Sequence, residues 1–314
     1  MDKKGESMKR AVITGPTGAI GRALINEVIN DGYEVLAVVH RSSVRAGDLE
    51  GIEHCRVLKL DLSEYGFALD EMKKQGIPDE KYDIFFNLAW EAPFGDGRDD
   101  LLVQTKNVHY AVKAVSFAKA LGCSTFVGIG SQAEYGRTSL TLRPDSPTNP
   151  ETGYGSAKLC AGNLTRYACE PYGMKHIWIR VLSVYGPHDR AETMISTAIS
   201  QMSNNEDTAF TPCEQIWDYL YSEDAARAIL LAGENGVHGK NYVLGSGRAY
   251  PLRWYVEKIA ELTGYNKEIG FGKIPYSEKQ VMHLVADISE LTKDTGFEPV
   301  VEFEEGIRRM LGKD

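Results

Sequence analysis

The sequence predicts a doubly wound α/β fold, a parallel sheet covered by helices, with a smaller mixed α/β lobe at its C-terminal end. Three observations predict it. Short β-branched runs alternate with helix-length stretches through the first half, a glycine-rich turn joins the first run to the first helix, and proline and glycine loosen the pattern after Tyr185.

The elements follow in order. Residues 10–14 (RAVIT) read as a buried strand, 19–30 as a helix closed by Asp31-Gly32, 34–39 as the second strand and 56–60 as the third. Residues 83–87 form the fourth, 101–121 a long helix, 125–129 the fifth strand, 151–172 a helix and 176–181 a further strand. Strands separated by helices require right-handed crossovers and parallel pairing. Beyond them, Pro187, Pro212 and Pro251 separate shorter helices at 223–232, 252–263 and 302–311. Residues 8–185 are expected to form the cofactor-binding domain, and 186–314 a substrate lobe sharing its cleft.

Composition narrows the function. With 314 residues, 43% hydrophobic and 25% charged, the chain can bury a large core, and its net charge of −9 disfavours nucleic acids and anionic membranes as general partners. The five cysteines show no metal-ligand or disulfide spacing, so no metal is expected. No apolar run is long enough to span a bilayer, and the polar Met1–Ser7 lacks the apolar stretch of a signal peptide. A cytoplasmic location is the expectation.

Thr14-Gly15-Pro16-Thr17-Gly18-Ala19-Ile20-Gly21 lies between the first strand and first helix. Gly15 suits a tight turn, Gly18 lets backbone approach a pyrophosphate, and Gly21 lets helix and strand pack closely. The helix N-terminus adds free N–H groups and partial positive charge, the dinucleotide site of a Rossmann-type sheet. The Gly-x-x-Gly-x-x-Gly spacing after Thr resembles the extended branch of the short-chain dehydrogenase/reductase superfamily, the NAD(P)-dependent sugar-nucleotide epimerases and dehydratases.

Other segments carry that resemblance through the chain. Asp61 and Leu62 look like the adenine contact, Leu88 and Ala89 like the loop under the cofactor, and Asn107 like a structural Asn of the long helix. His40-Arg41-Ser42-Ser43 ends the second strand without an acid to hold a ribose 2′-hydroxyl. It is similar to NADP-using members, so NADP(H) is favoured over NAD(H), with Arg41 and Ser42 clamping the 2′-phosphate.

Tyr154 and Lys158 stand one turn apart on one helix face. A tyrosine needs its pKa, ordinarily near 10, lowered to exchange protons at neutral pH, and a lysine ammonium supplies the charge. Ser131 follows the fifth strand, where its hydroxyl would orient a reacting carbonyl. The resemblance makes Ser131, Tyr154 and Lys158 the catalytic set.

The substrate-facing segments depart from the family. Ser183 stands where Asn is usual and Trp217 where Arg is common, both positions that serve a substrate diphosphate. Either another basic residue, such as Arg180, Arg190 or Arg248, serves the diphosphate, or the substrate is not an ordinary nucleotide sugar. Trp90 and Gln132 are expected at the sugar, whereas His188 and Asp189 read as a solvated turn. Dehydratases of the family place acids directly after the catalytic Ser or Thr; here stand Gln132 and Ala133, with Glu134 one place late. That disfavours elimination of water. Two readings remain open: an NADPH-dependent 4-ketoreductase of a nucleotide-linked 4-keto-6-deoxyhexose, towards which the His40-Arg41 turn leans, and a nucleotide-hexose 4-epimerase retaining NAD. A non-enzymatic NADP(H)-binding redox sensor is the third. By resemblance, the chain forms a homodimer.

Overall fold

The computed structural model describes residues 8–313. The chain runs β1 (Arg10–Thr14), α1 (Ala19–Asn30), β2 (Glu34–Val39), β3 (Cys55–Lys59), α2 (Ala68–Lys74), β4 (Ile84–Asn87), α3 (Leu101–Ala120), β5 (Thr125–Ser131), α4 (Gly153–Cys169) and β6 (Lys175–Val181). It continues through β7 (Ser183–Tyr185), α5 (Met194–Ser203), β8 (Ile216–Trp217), β9 (Tyr219–Tyr221), α6 (Ser222–Asn235) and β10 (Asn241–Leu244). The last elements are β11 (Tyr250–Pro251), α7 (Leu252–Thr263), β12 (His283–Leu284), α8 (Ser289–Thr295) and α9 (Phe303–Met310).

Seven parallel strands form one sheet in the order β3-β2-β1-β4-β5-β6-β10. Strand order reverses between β1 and β4, and the crevice this leaves at the strand ends is where such sheets bind ligands. Because helices cover both faces, the central strands are apolar on both sides. Ala11, Val12 and Ile13 are all fully buried. Leu24, Ile25 and Val28 of α1 cover one face together with Ala225, Ala228 and Ile229 of α6. Val115 and Phe117 of α3 and Met72 of α2 cover the other.

The expected division at residue 185 does not describe the sheet. β10 pairs with β6, Leu244 opposite Val181, and α6 lies in the same core cluster as α1. The physical reason is burial. Without β10 the edge of β6 would present unpaired backbone groups, and without α6 the apolar face beside α1 would be bare. What is separate is an aromatic-rich cluster built from α5, α7 and α9 with Tyr185, Tyr221, Tyr255 and Phe303.

The glycine loop shows why each glycine is there. Gly15 has φ +69°, and a Cβ on it would stand 2.9 Å from the Ala89 nitrogen. A Cβ on Gly21 would run into the Gly15 carbonyl oxygen and lie 2.8 Å from Pro16 Cα. Gly18 is different: a Cβ there meets nothing within 4 Å. Gly21→Ala should therefore cost about 1–3 kcal/mol of folding stability through overpacking. Gly18→Ala should change stability by no more than about 0.5 kcal/mol, since its Cβ meets no protein atom. Denaturant unfolding of the two variants checks the contrast.

Candidate active site

A cleft of about 470 Å³ opens at the switch point and runs from the glycine loop to the C-terminal lobe. Gly15, Gly18, Ala19, Ile20, Gly21 and Leu88 line one end. Ser131, Gln132, Tyr154 and Lys158 line the middle, with Trp90, Ser183 and Arg190 on the walls. Thr14 ties the two strands at the switch point. Its hydroxyl donates to Asn87 Oδ1 and accepts from the backbone nitrogens of Leu88 and Ala89, each at 3.1 Å. Ala89 thus supports Gly15 from below, while Thr17 is half-buried within the loop. The open space beside Gly18, at the start of α1, is the fit test a dinucleotide pyrophosphate requires, and the loop passes it.

The three candidate catalytic side chains converge. Ser131 ends β5 and caps the turn that follows, its Oγ accepting from Ala133 N at 3.2 Å. Thr152 caps α4 by accepting from Gly155 N at 3.0 Å, which fixes the first turn carrying Tyr154. Gly155 lets that turn press against the Ala133 carbonyl, so α4 starts beside Ser131. Ser131 and Tyr154 line the same stretch of the cleft. Lys158 is 3% exposed, donates from Nζ to the Ile129 carbonyl at 2.7 Å and lies 3.9 Å from the Trp90 ring centroid.

The electrostatics differ from the sequence expectation. Burial pushes Lys158 down to about 7 in the ligand-free cleft, partly opposed by Glu134. Burial also pushes Tyr154 up, opposed by the neighbouring Ser131 hydroxyl and by the Arg98 guanidinium. Two cations stand at the Tyr154 ring: the Arg98 guanidinium, 4.6 Å from its centroid, and Lys158 Nζ, 5.7 Å from it. The sequence pointed only to Lys158.

Arg98 and Trp90 lie on one segment, and α3 holds it. Gln104, 1% exposed, accepts from Trp90 Nε1 at 2.8 Å and donates to the carbonyls of Ala92 (3.1 Å) and Gly97 (2.8 Å). Asn107 brackets Glu91, accepting from its N–H and donating to its carbonyl, both at 2.8 Å. The sequence pointed to Asn107 but not to Gln104 or Arg98. A buried polar pair three residues apart on a helix was the signal available.

Glu134 does not reach the cleft chemistry. It is fully buried and accepts from Ser131 N at 2.9 Å, Trp178 Nε1 at 3.0 Å and Arg180 Nε at 2.7 Å. Arg180 is thereby occupied, and with 4% exposure it is no ligand for a diphosphate. Arg248 pairs with Glu302 away from the cleft wall. Arg190 does line the cleft, over the Phe94 ring at 4.5 Å and 3.2 Å from Glu192. The two family departures meet each other: Trp217 Nε1 donates to Ser183 Oγ at 2.8 Å, with Trp217 behind Ser183 and off the wall. His188 and Asp189, expected as a solvated turn, instead line the cleft, where Asp189 accepts from Arg190 N and Thr193 Oγ1. Arg45, unnoticed in the sequence, reaches across to the His188 carbonyl at 3.5 Å.

The expected 2′-phosphate clamp is also occupied. Arg41 donates to Glu64 at 2.8 and 3.1 Å and to Glu71 at 2.6 Å. Its backbone nitrogen donates to Asp61 Oδ1 at 2.9 Å, and His40 approaches Asp61 and Ser42. Leu62 opens the turn that Asp61 caps. His40, Arg41, Ser42, Asp61 and Leu62 thus form a cluster at the ends of β2 and β3, away from the catalytic wall. Among the described residues no group of three or more His, Cys, Asp or Glu is placed to hold a metal, and no helix is long and apolar enough to cross a membrane.

Because Lys158 titrates near 7 when folded and near 10.5 when unfolded, the unfolded chain binds more protons between those values. Stability of the ligand-free protein should accordingly rise as pH climbs from about 6.5 to about 8.5. Lys158→Met should flatten that rise, as read from denaturant midpoints at the two pH values.

Comparison with known proteins agrees with this geometry. The family described as "NAD dependent epimerase/dehydratase family" matches residues 11–245. The CDP-abequose synthase of Salmonella muenchen is 24% identical over 96% of this chain and 97% of that protein. The dTDP-6-deoxy-L-talose 4-dehydrogenase (NAD(+)) of Aggregatibacter actinomycetemcomitans is 27% identical over 80% and 89%. The UDP-glucose 4-epimerase of Thermotoga maritima, solved with UDP-glucose, superposes with a TM-score of 0.84 at 22% identity, covering 97% of this chain and 98% of that one. With its Rossmann-type sheet, glycine loop and cleft, the chain is an enzyme of the NAD dependent epimerase/dehydratase family.

Proposed function

We propose that the enzyme reduces the 4-keto group of a nucleotide-linked 6-deoxyhexose to a hydroxyl, with Tyr154 as proton donor. The observation that carries this reading is the fixed position of Trp90. Its indole is hydrogen-bonded to Gln104, lies over Lys158 and meets Tyr154 edge-on with centroids 6.0 Å apart. A 4-epimerase must turn its keto sugar over between two hydride transfers, and an indole pinned beside the proton donor opposes that rotation. A reductase needs one face only. Elimination of water is disfavoured because the acid nearest Ser131 is spent on Arg180. The names of two relatives, the CDP-abequose synthase and the dTDP-6-deoxy-L-talose 4-dehydrogenase, are in keeping with chemistry on deoxysugar nucleotides.

The roles follow from position. Ser131 Oγ aligns the carbonyl oxygen, Tyr154 supplies its proton, and Lys158 donates to ribose hydroxyls of the cofactor, drawing its head from the Ile129 carbonyl. The nicotinamide ring, when bound, supplies the hydride. For that cofactor the arrangement around Arg41 favours NAD(H) over NADP(H). A 2′-phosphate would have to displace Glu64 and Glu71 and then sit beside both carboxylates. The same feature favours the second reading, an epimerase that keeps NAD bound. Any homodimer would use the outer surface of α4, where Leu164 and Tyr167 are exposed.

Two measurements test the reading. Tyr154→Phe should lower turnover of 4-keto-sugar nucleotides by about 10²–10⁴-fold while leaving the dinucleotide Kd unchanged. Purified protein should bind NADH at least as tightly as NADPH and consume it stoichiometrically with the keto sugar. Tightly held NAD released only on denaturation, with no net consumption of NADH, would move the assignment to the epimerase.

A further inference from the structure

Arginines in this structure have partners. Those on the surface pair with carboxylates or carbonyls, as Arg10, Arg56 and Arg137 do, or with a hydroxyl, as Arg166 does with Tyr167, and the buried Arg180 pairs with Glu134. Arg98 is the exception among the described residues. Its Nε is buried with no hydrogen-bond partner, and no carboxylate or carbonyl takes its other N–H groups. It lies in the cleft wall, stacked on the face of Tyr154 with 4.6 Å between guanidinium carbon and ring centroid.

Its placement is fixed from several sides. Gln104 holds the Gly97 carbonyl directly before it, and Asp99 directly after it accepts from Gly153 N at 3.1 Å. Gly153 is the first residue of α4 and the neighbour of Tyr154. A Cβ on Gly153 would come within 3.2 Å of the Arg98 carbonyl, so the turn and the helix start are in contact. Arg98 is partly exposed at the cleft, with its Nε shielded from water and unpaired, and the fold sets its guanidinium against a group that must give up a proton.

Resting on the reductase reading above, we infer that Arg98 is a positioning residue for proton transfer: the standing positive charge on the Tyr154 ring keeps tyrosinate accessible and Tyr154 an effective acid. The charged groups around Tyr154 make the need clear. Lys158, on the same helix, is held less firmly in its charged form because burial lowers it. Glu134, behind Ser131, is an anion and opposes tyrosinate. Asp99, beside Gly153, is a further carboxylate. Lys158 Nζ lies 5.7 Å from the Tyr154 ring centroid, and Arg98 adds a charge that persists at every working pH, since a guanidinium does not deprotonate in proteins. Its contribution falls on Tyr154 from the turn preceding α3, not from the helix that carries the tyrosine.

The test is the pH profile of kcat/KM for keto-sugar reduction in Arg98→Met and Arg98→Lys, at saturating NADH. An opposite charge within about 4–6 Å lowers an acid's pKa by about 1–3 units. In Arg98→Met the alkaline limb should therefore move up by at least about one pH unit and the plateau should fall, with the NADH Kd unchanged. Arg98→Lys should return the limb towards its wild-type position. A limb unmoved in Arg98→Met overturns the inference whatever the rate, and so does a lysine variant displaced as far as the methionine one. Should turnover be too low to profile, tyrosinate titration by ultraviolet difference gives the same reading without substrate. There Tyr154 is isolated by subtracting Tyr154→Phe from wild type, and the double variant from Arg98→Met. An unchanged difference titration overturns the inference. That titration also separates the two readings, since full activity in Tyr154→Phe would sink the reductase assignment while leaving the Arg98 shift intact.

Discussion

Glu134 and Arg180 form an ion pair almost wholly removed from water, and the geometry at the end of β5 depends on it. Desolvating two charges costs several kcal/mol per ion, recovered only when every remaining polar atom is also satisfied. Here the accounts of both partners close. The carboxylate also takes the Ser131 N–H and the Trp178 indole, while Arg180 reaches Tyr135 Oη at 3.0 Å and the Pro144 carbonyl at 3.2 Å. The pair thereby sets the turn that presents Ser131, joins β5 to β6, and anchors the segment running towards α4. It also places a negative charge under Lys158 and Tyr154, so the structural acid takes part in the electrostatics of the cleft without entering it.

A second constraint acts from the opposite wall. Burial lowers the lysine and raises the tyrosine, a trend poorly suited to moving protons. The chain answers with geometry carried by α3, where Gln104 and Asn107 grip the backbone of residues 91–97 and so position both an indole and a guanidinium. The wall opposite the cofactor loop is thus an extension of a helix and not a free loop, although residues 91–94 in it lack regular structure.

The parts legible in the sequence were those governed by local periodicity and by short-range spacing. α1, β2 and α7 occupy the residues that their apolar periods delimit. β5 runs two residues further than its apolar run because pairing with β6 continues to Ser131 opposite Val181. α4 starts later than its pattern because Thr152 caps it, and it ends at Cys169 before Pro171. The short helices α2 and α8 were not readable, each lasting about two turns. The glycine loop and the Ser-Tyr-Lys spacing were legible because each chemical requirement falls within a few residues. Arg41, Arg98 and Arg180 were not, since what an arginine does depends on which carboxylates the fold brings to it. Glu71 meets Arg41 from thirty residues away and Glu134 meets Arg180 from forty-six.

The late return of the chain to its sheet bears on synthesis at the ribosome. β6 gains its second neighbour only when β10 emerges, sixty residues after β6 has ended. Until then a nascent chain carrying the complete glycine loop and all three candidate catalytic side chains still has one sheet edge unpaired, and the face beside α1 lacks the alanine-rich α6. Exposed edges and apolar faces of this kind are what aggregate in partly made proteins. The catalytic half therefore matures only with the segment that follows it, and an evolving lineage can exchange the lobe between β7 and β10 only while preserving a strand and helix that come home.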